Sequence, residues 1–280
     1  LYNPGERPSF LITEAMRGFG GLLRLQNGKE FMQKYHPMGS LAPRDVVARS
    51  IDHELKISGE EFVYLDITHK DPKEVMSHFP NIYKKCLSIG IDLTKDMIPV
   101  VPAAHYCCGG IKVNLNGESS IRRLYALGEA SSTGLHGGNR LASNSMMEAA
   151  VYADAAARHA ISVIDSIELQ RDIPAWDYEG TAVPEEMALI TQDYKEMQQI
   201  MTNYVGIVRS DVRLERAKRR LEIIFKETEE LYLKSTLSQH LCELRNMIAV
   251  GYLIIKQAEA RHESVGLHYS IDYPAKPVEI

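Results

Sequence analysis

The sequence has little of what marks a membrane protein or a disulfide-stapled protein. Its longest apolar run, residues 247–255, is far shorter than the roughly 20 residues of a membrane-spanning helix. Cysteine is scarce: Cys107 and Cys108 are adjacent, and no second pair has metal-ligand spacing, so neither a disulfide framework nor a zinc site is indicated. A metal held by these thiols and His105 is the less favoured alternative. We expect a reduced, cytoplasmic protein.

Charge of one sign is not in excess either. The net charge is −5, with 45% hydrophobic and 25% charged residues. This balance is ordinary for a globular protein and gives no reason to expect nucleic acid or an anionic membrane as partner. The glycine cluster in residues 17–25 lacks a third glycine at GxGxxG spacing, so it is not a dinucleotide-binding fingerprint. The chain begins with Leu1, inside an apparent fold, and we therefore expect a piece of a longer polypeptide.

Residues 124–153 carry the strongest functional pattern. An apolar run at 124–127 predicts a buried strand, and the Ala- and Met-rich run 145–153 predicts a helix. Between them lie four glycines together with His136 and Arg140. A Gly-rich loop between a strand and a helix start is where α/β proteins place ligands, because backbone N–H groups and the helix dipole point outward there. The alternative is a surface loop that needs its glycines for turns.

Before this stretch, the pattern predicts short helices and strands. A helix at 43–58 is indicated by a proline at its start, helical spacing of apolar residues and a glycine after its end. Strands are predicted at 62–67 and 98–101, with two short helices separated by Pro80 between them. The Asn-Gly pair at 116–117 predicts a hairpin between flanking strands; these strands are 109–115 and 121–127.

After this stretch, helices dominate. The helix that starts near Ser145 is predicted to reach about Ile164, and residues 170–183 to form a linker. Apolar residues at helical spacing predict a small helical bundle; its helices are expected at 184–204, 211–234 and 238–262. The tail 268–274 has no helical pattern, and we expect it to pack back on the body.

Polar residues at predicted element ends indicate a site for an anion. Arg44 lies in the first turn of its helix, where a cation opposes the helix dipole; this invites a functional explanation, and a solvated arginine is the equally open alternative. Arg44, Arg140, His105 and His136 all lie at element ends or in Gly-rich loops. Two arginines with a histidine suit a small dicarboxylate, because guanidinium groups match carboxylates in two-point geometry. Thr13 and Glu14 add a hydroxyl donor and an acid able to pair with an ammonium group.

A second group of residues suits a cofactor. Glu129 follows the predicted strand and is placed to accept from a sugar-like hydroxyl of a nucleotide cofactor. Asn144, Ser145 and Met146 begin a helix whose N–H groups suit an electron-rich cofactor oxygen. The residues alone therefore predict an anionic small-molecule site near a cofactor, without naming a reaction.

Seven motifs carry a resemblance to a known family. They are LITEAMRG (11–18), PRDVVARSIDHEL (43–55), PAAHYCCGGIKV (102–113), LYALGEASSTGLHGGNRLASNSMMEA (124–149), YVGIVRS (204–210), ELRN (243–246) and RHESVGLHYSIDYP (261–274). Together they resemble the flavoprotein family of succinate dehydrogenase and fumarate reductase over essentially the whole chain. GLHGGNRLASNS is more similar to that family's aspartate oxidases than to its quinone-linked dehydrogenases, which usually carry Gly-Ala where Ala142 and Ser143 stand.

The resemblance implies FAD-dependent oxidation of L-aspartate to iminoaspartate, with oxygen or fumarate as acceptor, at the start of quinolinate and NAD synthesis. It implies non-covalent FAD, an aspartate- or fumarate-type dicarboxylate, and quinolinate synthase as a candidate partner. The alternatives are a fumarate reductase or succinate dehydrogenase flavoprotein subunit, and a non-catalytic helical interaction module.

The resemblance also implies roles for residues of the substrate site. Arg44 resembles the family's active-site arginine, for which we expect an electrostatic and positioning role because a guanidinium is normally a permanent cation. His105 and Arg140 resemble ligands of the substrate carboxylates. Thr13 and Glu14 match the family's Thr-Glu pair, with Glu14 reading the amino group.

The cofactor side follows in the same way. Glu129 resembles the residue that meets the flavin ribityl chain, and Ser145 and Met146 resemble those that meet the isoalloxazine ring. We include Asn144 with them because it begins the same helix.

The organisation implied by the resemblance is α+β, with three parts. Residues 1–105 resemble part of a substrate-capping domain, 106–172 the C-terminal piece of an FAD-binding domain, and 173–280 a helical domain with a three-helix bundle. Val265 departs from the family, which usually has arginine there in an RxESRG motif. The strand–turn–helix for the ADP part of FAD is also missing, so we expect this chain to bind FAD weakly or not at all by itself.

Overall fold

A computed structural model of the chain describes residues 1–6, 8–141, 143–183 and 187–274. The chain forms two compact units, Leu1–Ala103 and Ala104–Ile280. Each unit has its own cluster of buried apolar side chains. Both helices and short strands are present, which confirms the predicted α+β class. Within the described residues, no helix is long and apolar enough to cross a membrane.

The first unit contains a three-stranded antiparallel sheet. Its elements are α1 (Ala15–Gly18), β1 (Leu22–Arg24), 3-10 turns at Met32–Lys34 and Gly39–Leu41, α2 (Arg44–Ser58), β2 (Val63–Asp66), α3 (Pro72–His78), α4 (Pro80–Leu87) and β3 (Ile98–Val100). The central strand is β2, which pairs with β1 and β3. Side chains of the sheet and of the helices share one core, which includes Leu65 of β2, Ile51 of α2 and Ile82 of α4.

The helices of this unit begin and end where the pattern predicts. Pro43 immediately precedes α2, and Gly59 ends it with φ 76°, a left-handed conformation that glycine adopts at little cost. Asp71 caps α3 by accepting two backbone N–H groups. Pro80 starts α4 instead of continuing α3, because proline has no N–H to donate within a helix. The predicted break between the two short helices is therefore confirmed.

The second unit combines two small parallel sheets with long helices. Its elements are β4 (Ile111–Lys112), a 3-10 turn at Gly128–Ala130, β5 (Ser131–Ser132), α5 (Asn144–Ile164), α6 (Met187–Ile200), a π-helical turn at Met201–Val205, β6 (Val208–Arg209), α7 (Asp211–Lys234), α8 (Gln239–Ala260) and β7 (Tyr269–Ser270). Helices α6, α7 and α8 share one apolar core, which confirms the predicted bundle. Its first predicted residues, 184–186, lie outside the described part of the chain.

Two local predictions in this unit are wrong. Residues 124–127 do not form a strand, and of the apolar side chains there only Ala126 is buried. The turn of the predicted hairpin forms, but Ile111–Lys112 pairs in parallel with Ser131–Ser132 instead of with residues 121–127. The physical reason is tertiary: the backbone at Gly110 approaches Ala130 so closely that a Cβ there would collide with it. A local turn signal does not report such an approach.

The tail packs back on the body, as predicted. Strand β7 pairs in parallel with β6, just before α7. The carboxylate of Asp272 accepts the N–H of Asp211 at 2.6 Å, and the Tyr273 hydroxyl donates to the Asp211 carboxylate at 2.7 Å. The tail is therefore anchored at the N-terminal end of a bundle helix.

Candidate active site

In the first unit, the predicted site residues lie at the starts of two helices. Thr13 Oγ1 accepts the backbone N–H of Ala15 at 3.3 Å, so the hydroxyl supports the start of α1. Glu14 is exposed, and its Oε1 accepts from Arg17 Nη2 at 2.8 Å. The Glu14 carboxylate is therefore accessible and held beside a cation.

Arg17 joins the Glu14 segment to the chain just before α2. Besides Glu14, its guanidinium donates to the backbone oxygens of Ser40 at 2.7 Å and Ala42 at 3.0 Å. The Arg17 side chain is 11% exposed, so these bonds form in a sheltered position. Sequence reasoning missed Arg17, whose only local signal is a cation one helical turn after Glu14.

Arg44 is the first residue of α2 and is exposed. Among the described residues, its guanidinium has no hydrogen-bond or ion-pair partner. The neighbouring Asp45 pairs with Arg49 at 2.8 Å instead. No side chain caps this helix end, so a guanidinium and unbonded N–H groups lie together there. Both favour an anion.

In the second unit, His105 and Arg140 are hydrogen-bonded although 35 residues separate them. Arg140 Nη2 lies 2.8 Å from His105 Nε2. Because a guanidinium can only donate, His105 Nε2 is the acceptor of this bond. Arg140 is 9% exposed, whereas His105 is exposed. The pair therefore joins a sheltered cation to an accessible imidazole.

Two further contacts fix the direction of the Arg140 side chain. Its guanidinium carbon lies 4.8 Å from the centroid of the Tyr106 ring, within the range of a cation–π interaction. Its Nη1 donates to Ser145 Oγ at 3.4 Å, near the start of α5. Arg140 therefore connects the segment of His105 with the helix start that we predicted as part of a cofactor site.

Glu148 of α5 is the buried centre of the network behind Arg140. Its carboxylate accepts from Thr133 Oγ1, from His136 Nε2 at 2.7 Å and from the Tyr106 hydroxyl at 3.4 Å. These bonds compensate the desolvation of a carboxylate that is 3% exposed. Burial, Glu148 and Glu129 raise the pKa of Tyr106. Sequence reasoning missed Glu148; its only signal is a single acid inside the Ala- and Met-rich run.

Two buried nitrogens of this cluster have no hydrogen-bond partner in the described part of the chain. They are Arg140 Nε and His136 Nδ1. Buried polar atoms in proteins are nearly always paired, because an unpaired one costs about 1–3 kcal/mol. These two nitrogens keep unused hydrogen-bonding capacity within the cluster.

The predicted cofactor residues lie on the same segments. Glu129, in the 3-10 turn, accepts the N–H of Cys107 at 2.9 Å. Ser143, with φ 70°, precedes Asn144 and makes no capping bond, so the first N–H groups of α5 have no side-chain partner. Met146 is 78% exposed. An apolar side chain beside uncapped N–H groups fits a flat aromatic ring with a polar edge, such as a flavin.

Across residues 1–6, 8–141, 143–183 and 187–274, no group of three or more His, Cys, Asp or Glu side chains has the arrangement of metal ligands. Cys107 and Cys108 are both free.

Known proteins match both parts of the chain. A family model described as FAD binding domain matches residues 1–146, and one described as fumarate reductase flavoprotein C-term matches residues 194–277. The L-aspartate oxidase of Pseudomonas aeruginosa is 48% identical over 98% of the chain and 51% of its own length. That of Acinetobacter baylyi is 49% identical over 98% of the chain and 50% of its own length. The chloroplastic L-aspartate oxidase 2-b of Nicotiana tabacum is 44% identical over 95% of the chain and 43% of its own length.

Solved structures agree with these matches. A quinol-fumarate reductase chain has a TM-score of 0.78 at 28% identity, covering 96% of this chain and 53% of the other. The Mycobacterium smegmatis Sdh1 complex has a TM-score of 0.76 at 30% identity, covering 95% and 47%. The chain thus spans about half the length of the relatives it matches. The FAD binding domain model matches residues 1–146, which are more than half of this chain. The chain therefore belongs to the FAD-binding flavoprotein family of succinate dehydrogenase and fumarate reductase.

Proposed function

We propose that the chain is part of an L-aspartate oxidase, which oxidises L-aspartate to iminoaspartate with oxygen or fumarate as acceptor and so starts quinolinate and NAD synthesis. The observation that carries the proposal is the Arg140–His105 pair, with a buried Arg140 Nε that lacks a partner among the described residues. The similarity to L-aspartate oxidases of several organisms supports the choice of substrate.

In this proposal, the chain's own side chains grip a four-carbon dicarboxylate. Arg140 donates to one carboxylate, and its bonds to His105 and its contact with Tyr106 keep the guanidinium in place. His105 binds the same end of the substrate. Glu14 pairs with the substrate ammonium, and Thr13 adds a hydroxyl donor. A buried arginine with fixed geometry discriminates strongly for carboxylates, since a guanidinium presents two parallel donors.

The cofactor of the proposal is FAD, held non-covalently by Glu129, Asn144, Ser145 and Met146. When bound, it supplies the acceptor for the hydride that leaves the substrate Cα. The uncapped N–H groups at the start of α5 favour negative charge on the part of the ring that faces them. Exposed Met146 offers the ring an apolar contact.

Arg44 supplies positive charge in this proposal. Its side chain is exposed at a helix start whose dipole also favours anions, and it lacks a partner in the described residues. A guanidinium keeps its proton at neutral pH, so Arg44 stabilises negative charge on the substrate and orients it.

The test compares arginine variants in the complete gene product that contains this chain, loaded with FAD. We expect Arg44→Ala and Arg140→Ala each to lower kcat/KM for L-aspartate by roughly 10- to 100-fold, the loss of one charge-assisted contact. Lysine at either position should restore part of the activity, and Arg158→Ala, an exposed control on α5, should change nothing. Wild-type turnover in both Arg44→Lys and Arg44→Ala would remove Arg44 from the site.

The second candidate function is that of a fumarate reductase or succinate dehydrogenase flavoprotein subunit. The observation in its favour is the likeness to quinol-fumarate reductase and Sdh1 chains. Assays of the same protein with L-aspartate and with succinate separate the two candidates: oxidation of succinate but not of L-aspartate would favour the second.

We extend the proposal to location and partner. Four free cysteines, two of them adjacent, support a reducing compartment such as the cytoplasm. Quinolinate synthase, which would consume the unstable imine, is the proposed partner. A pull-down with residues 184–280 as bait tests whether the helical part of the chain alone binds it. The proposed division at 1–105, 106–172 and 173–280 is tested by limited proteolysis, which should cut near residues 105 and 172.

A further inference from the structure

A tight turn near the end of the described chain, residues 265–268, rests on the loop that leads to Arg140. We call it the tail turn. Val265 and His268 exchange backbone hydrogen bonds of 3.0 and 3.1 Å that close it. At its tip, the N–H of Leu267 donates to the backbone oxygen of Gly138 at 2.8 Å. The tail turn and the Arg140 loop are therefore bonded through their backbones.

The two backbones also touch, and glycine on each side makes this approach possible. Gly266 has φ 61°, and a methyl group there would lie 2.5 Å from the carbonyl carbon and 2.8 Å from the Cα of Gly138. A methyl group on Gly138 would lie 3.1 Å from the oxygen of Val265. The first distance is far below van der Waals contact and involves backbone atoms, so the approach requires glycine at 266.

The tail turn is in turn fixed to the base of the bundle. His268 Nδ1 accepts from Arg209 Nη1 at 2.6 Å, and Arg209 Nε donates to the backbone oxygen of Val205 at 2.8 Å. Directly after the turn, Tyr269–Ser270 pairs with Val208–Arg209. The tail turn therefore connects the bundle to the Arg140 loop, which contacts its tip.

What rests on its tip is a glycine-rich loop, whose earlier residues Thr133 and His136 are held by Glu148. Between residues 128 and 140 the chain contains four glycines, so its unfolded states are numerous and fixing it is costly in entropy. Two residues after Gly138 comes Arg140, whose guanidinium must meet His105 and Tyr106 with a precision of a fraction of an ångström to bind a carboxylate.

We propose that the tail turn is a positioning element for Arg140: by backbone contact with Gly138, the helical bundle holds the loop so that the guanidinium is ready for a substrate carboxylate. This rests on the proposed function for the identity of the substrate, but not for the contact itself. Gly266 acts through the loop and touches neither substrate nor cofactor.

The test uses Gly266→Ala with Gly180→Ala as matched control, in the complete gene product. Both glycines have a positive φ, 61° and 79°, so both variants carry the same kind of backbone strain, but a methyl group on Gly180 meets nothing within 4 Å. Trypsin cleavage after Arg140, identified by mass, reports the loop. Calorimetric titration with succinate, an unreactive probe of the carboxylate site in an L-aspartate oxidase, reports the binding geometry.

We expect Gly266→Ala to accelerate cleavage after Arg140 and to weaken succinate binding by about tenfold each, which corresponds to ~1.4 kcal/mol. Gly180→Ala should match the wild type in both. Gly138→Ala approaches the contact from the other side and should show the same two effects in smaller size. Thermal melting followed by circular dichroism checks that the bundle remains folded; if Gly266→Ala does not fold, Gly138→Ala decides.

The outcomes separate the two proposals. A folded Gly266→Ala protein with the cleavage rate and succinate affinity of Gly180→Ala would overturn the positioning role. Should the wild-type protein bind neither succinate nor L-aspartate, the proposed function fails, whereas the cleavage comparison after Arg140 still supports or overturns the contact between the tail turn and the loop.

Discussion

The helical bundle and the segment that carries the candidate site, residues 104–172, are held by different interactions. The bundle has a continuous apolar core with fully buried side chains such as Leu244. In the site segment, the buried apolar side chains are Ala126 and Ala156, while Arg140 and Glu148 are buried as well. The bundle is therefore stabilised mainly by hydrophobic burial, and the site segment by a small number of polar bonds and backbone contacts.

The difference shows which interactions can order a segment whose large apolar side chains stay exposed. Large apolar side chains of the site segment are exposed, among them Met146, Met147 and Val151 of α5. A continuous exposed apolar surface marks a binding site more often than a plain surface. A segment with few buried apolar side chains takes its order from other interactions, and here the Glu148 network and the backbone contact with the tail turn supply it.

The largest effect is expected from cutting the core of the bundle. Leu244→Ala should lower the free energy of unfolding by about 2–5 kcal/mol, because the truncated side chain is fully buried. Leu253→Ala in the same helix, at a position 56% exposed, should cost no more than about 0.5 kcal/mol. Urea unfolding followed by circular dichroism measures both. Equal costs would break the comparison, since the bundle would then not depend on its core.

The next effect is expected from the polar centre of the site segment. Glu148→Gln replaces a carboxylate that accepts from Thr133, His136 and Tyr106 by an amide whose NH₂ must face one of these donors. We expect a loss of about 1–3 kcal/mol in the free energy of unfolding. Glu222→Gln, on the exposed face of α7, is the matched control and should be neutral. A neutral Glu148→Gln would show that the site segment does not depend on this network.

The dependence of stability on pH tests His268, the residue of the tail turn that bonds to Arg209 at the base of the bundle. Burial first, then the charges of Arg209 and Arg261, lower the pKa of His268, although Glu263 and a backbone hydrogen bond act in the opposite direction. In the unfolded chain the His268 imidazole has its ordinary pKa of about 6.5. As the pH falls below that value, the unfolded chain therefore binds more protons at this residue than the folded chain does. This contribution to stability is present above pH 6.5 and is lost as the pH falls toward the folded pKa.

Unfolding measured at pH 8 and at lower pH tests this expectation. His268→Gln should flatten the pH dependence, because an amide oxygen can still accept from Arg209 but does not titrate. His240→Gln, at an exposed position, should leave the dependence as in the wild type. An unchanged pH dependence in His268→Gln would mean that His268 is not the titrating group.

The smallest effect is expected from an ion pair on the surface of the site segment. Arg158 and Asp154 pair at 2.8 Å on α5, with side chains 77% and 64% exposed. Arg158→Ala should leave the free energy of unfolding close to that of the wild type, because solvent screens an exposed pair, and added salt should abolish any difference. A large loss in the free energy of unfolding would show that surface charge, and not the buried network, keeps the site segment ordered.

Most helices could be predicted from the sequence because their signals are local. Pro43 and Gly59 bound α2, Pro80 separates α3 from α4, and apolar periodicity marks the bundle. The pairing of β4 with β5 could not be predicted in this way. It depends on the approach of Gly110 to a distant backbone, while the nearby Asn-Gly turn indicated a hairpin.

The candidate site divides along the same line. The types of side chain at His105 and Arg140 suggested a dicarboxylate, and the structure brings these two together. The role of Arg44 stays a prediction. Glu148 was missed because an acid within a helix has the same local signature whether it faces solvent or is buried, and only the packing of α5 distinguishes the two. Sequence thus indicates which groups can do the chemistry, while the fold determines which groups support them.

Arg17 has a practical consequence for engineering. Its guanidinium bonds directly to Glu14 and to the backbone just before α2, so it ties these two segments together. The chain between them includes a tight turn after β1, closed by the hydrogen bond from the Leu25 N–H to the Lys29 oxygen, and its tip at Gly28 has open space around it. A fluorophore attachment site or a short affinity tag inserted at this tip would leave the geometry of the first unit's site residues unchanged.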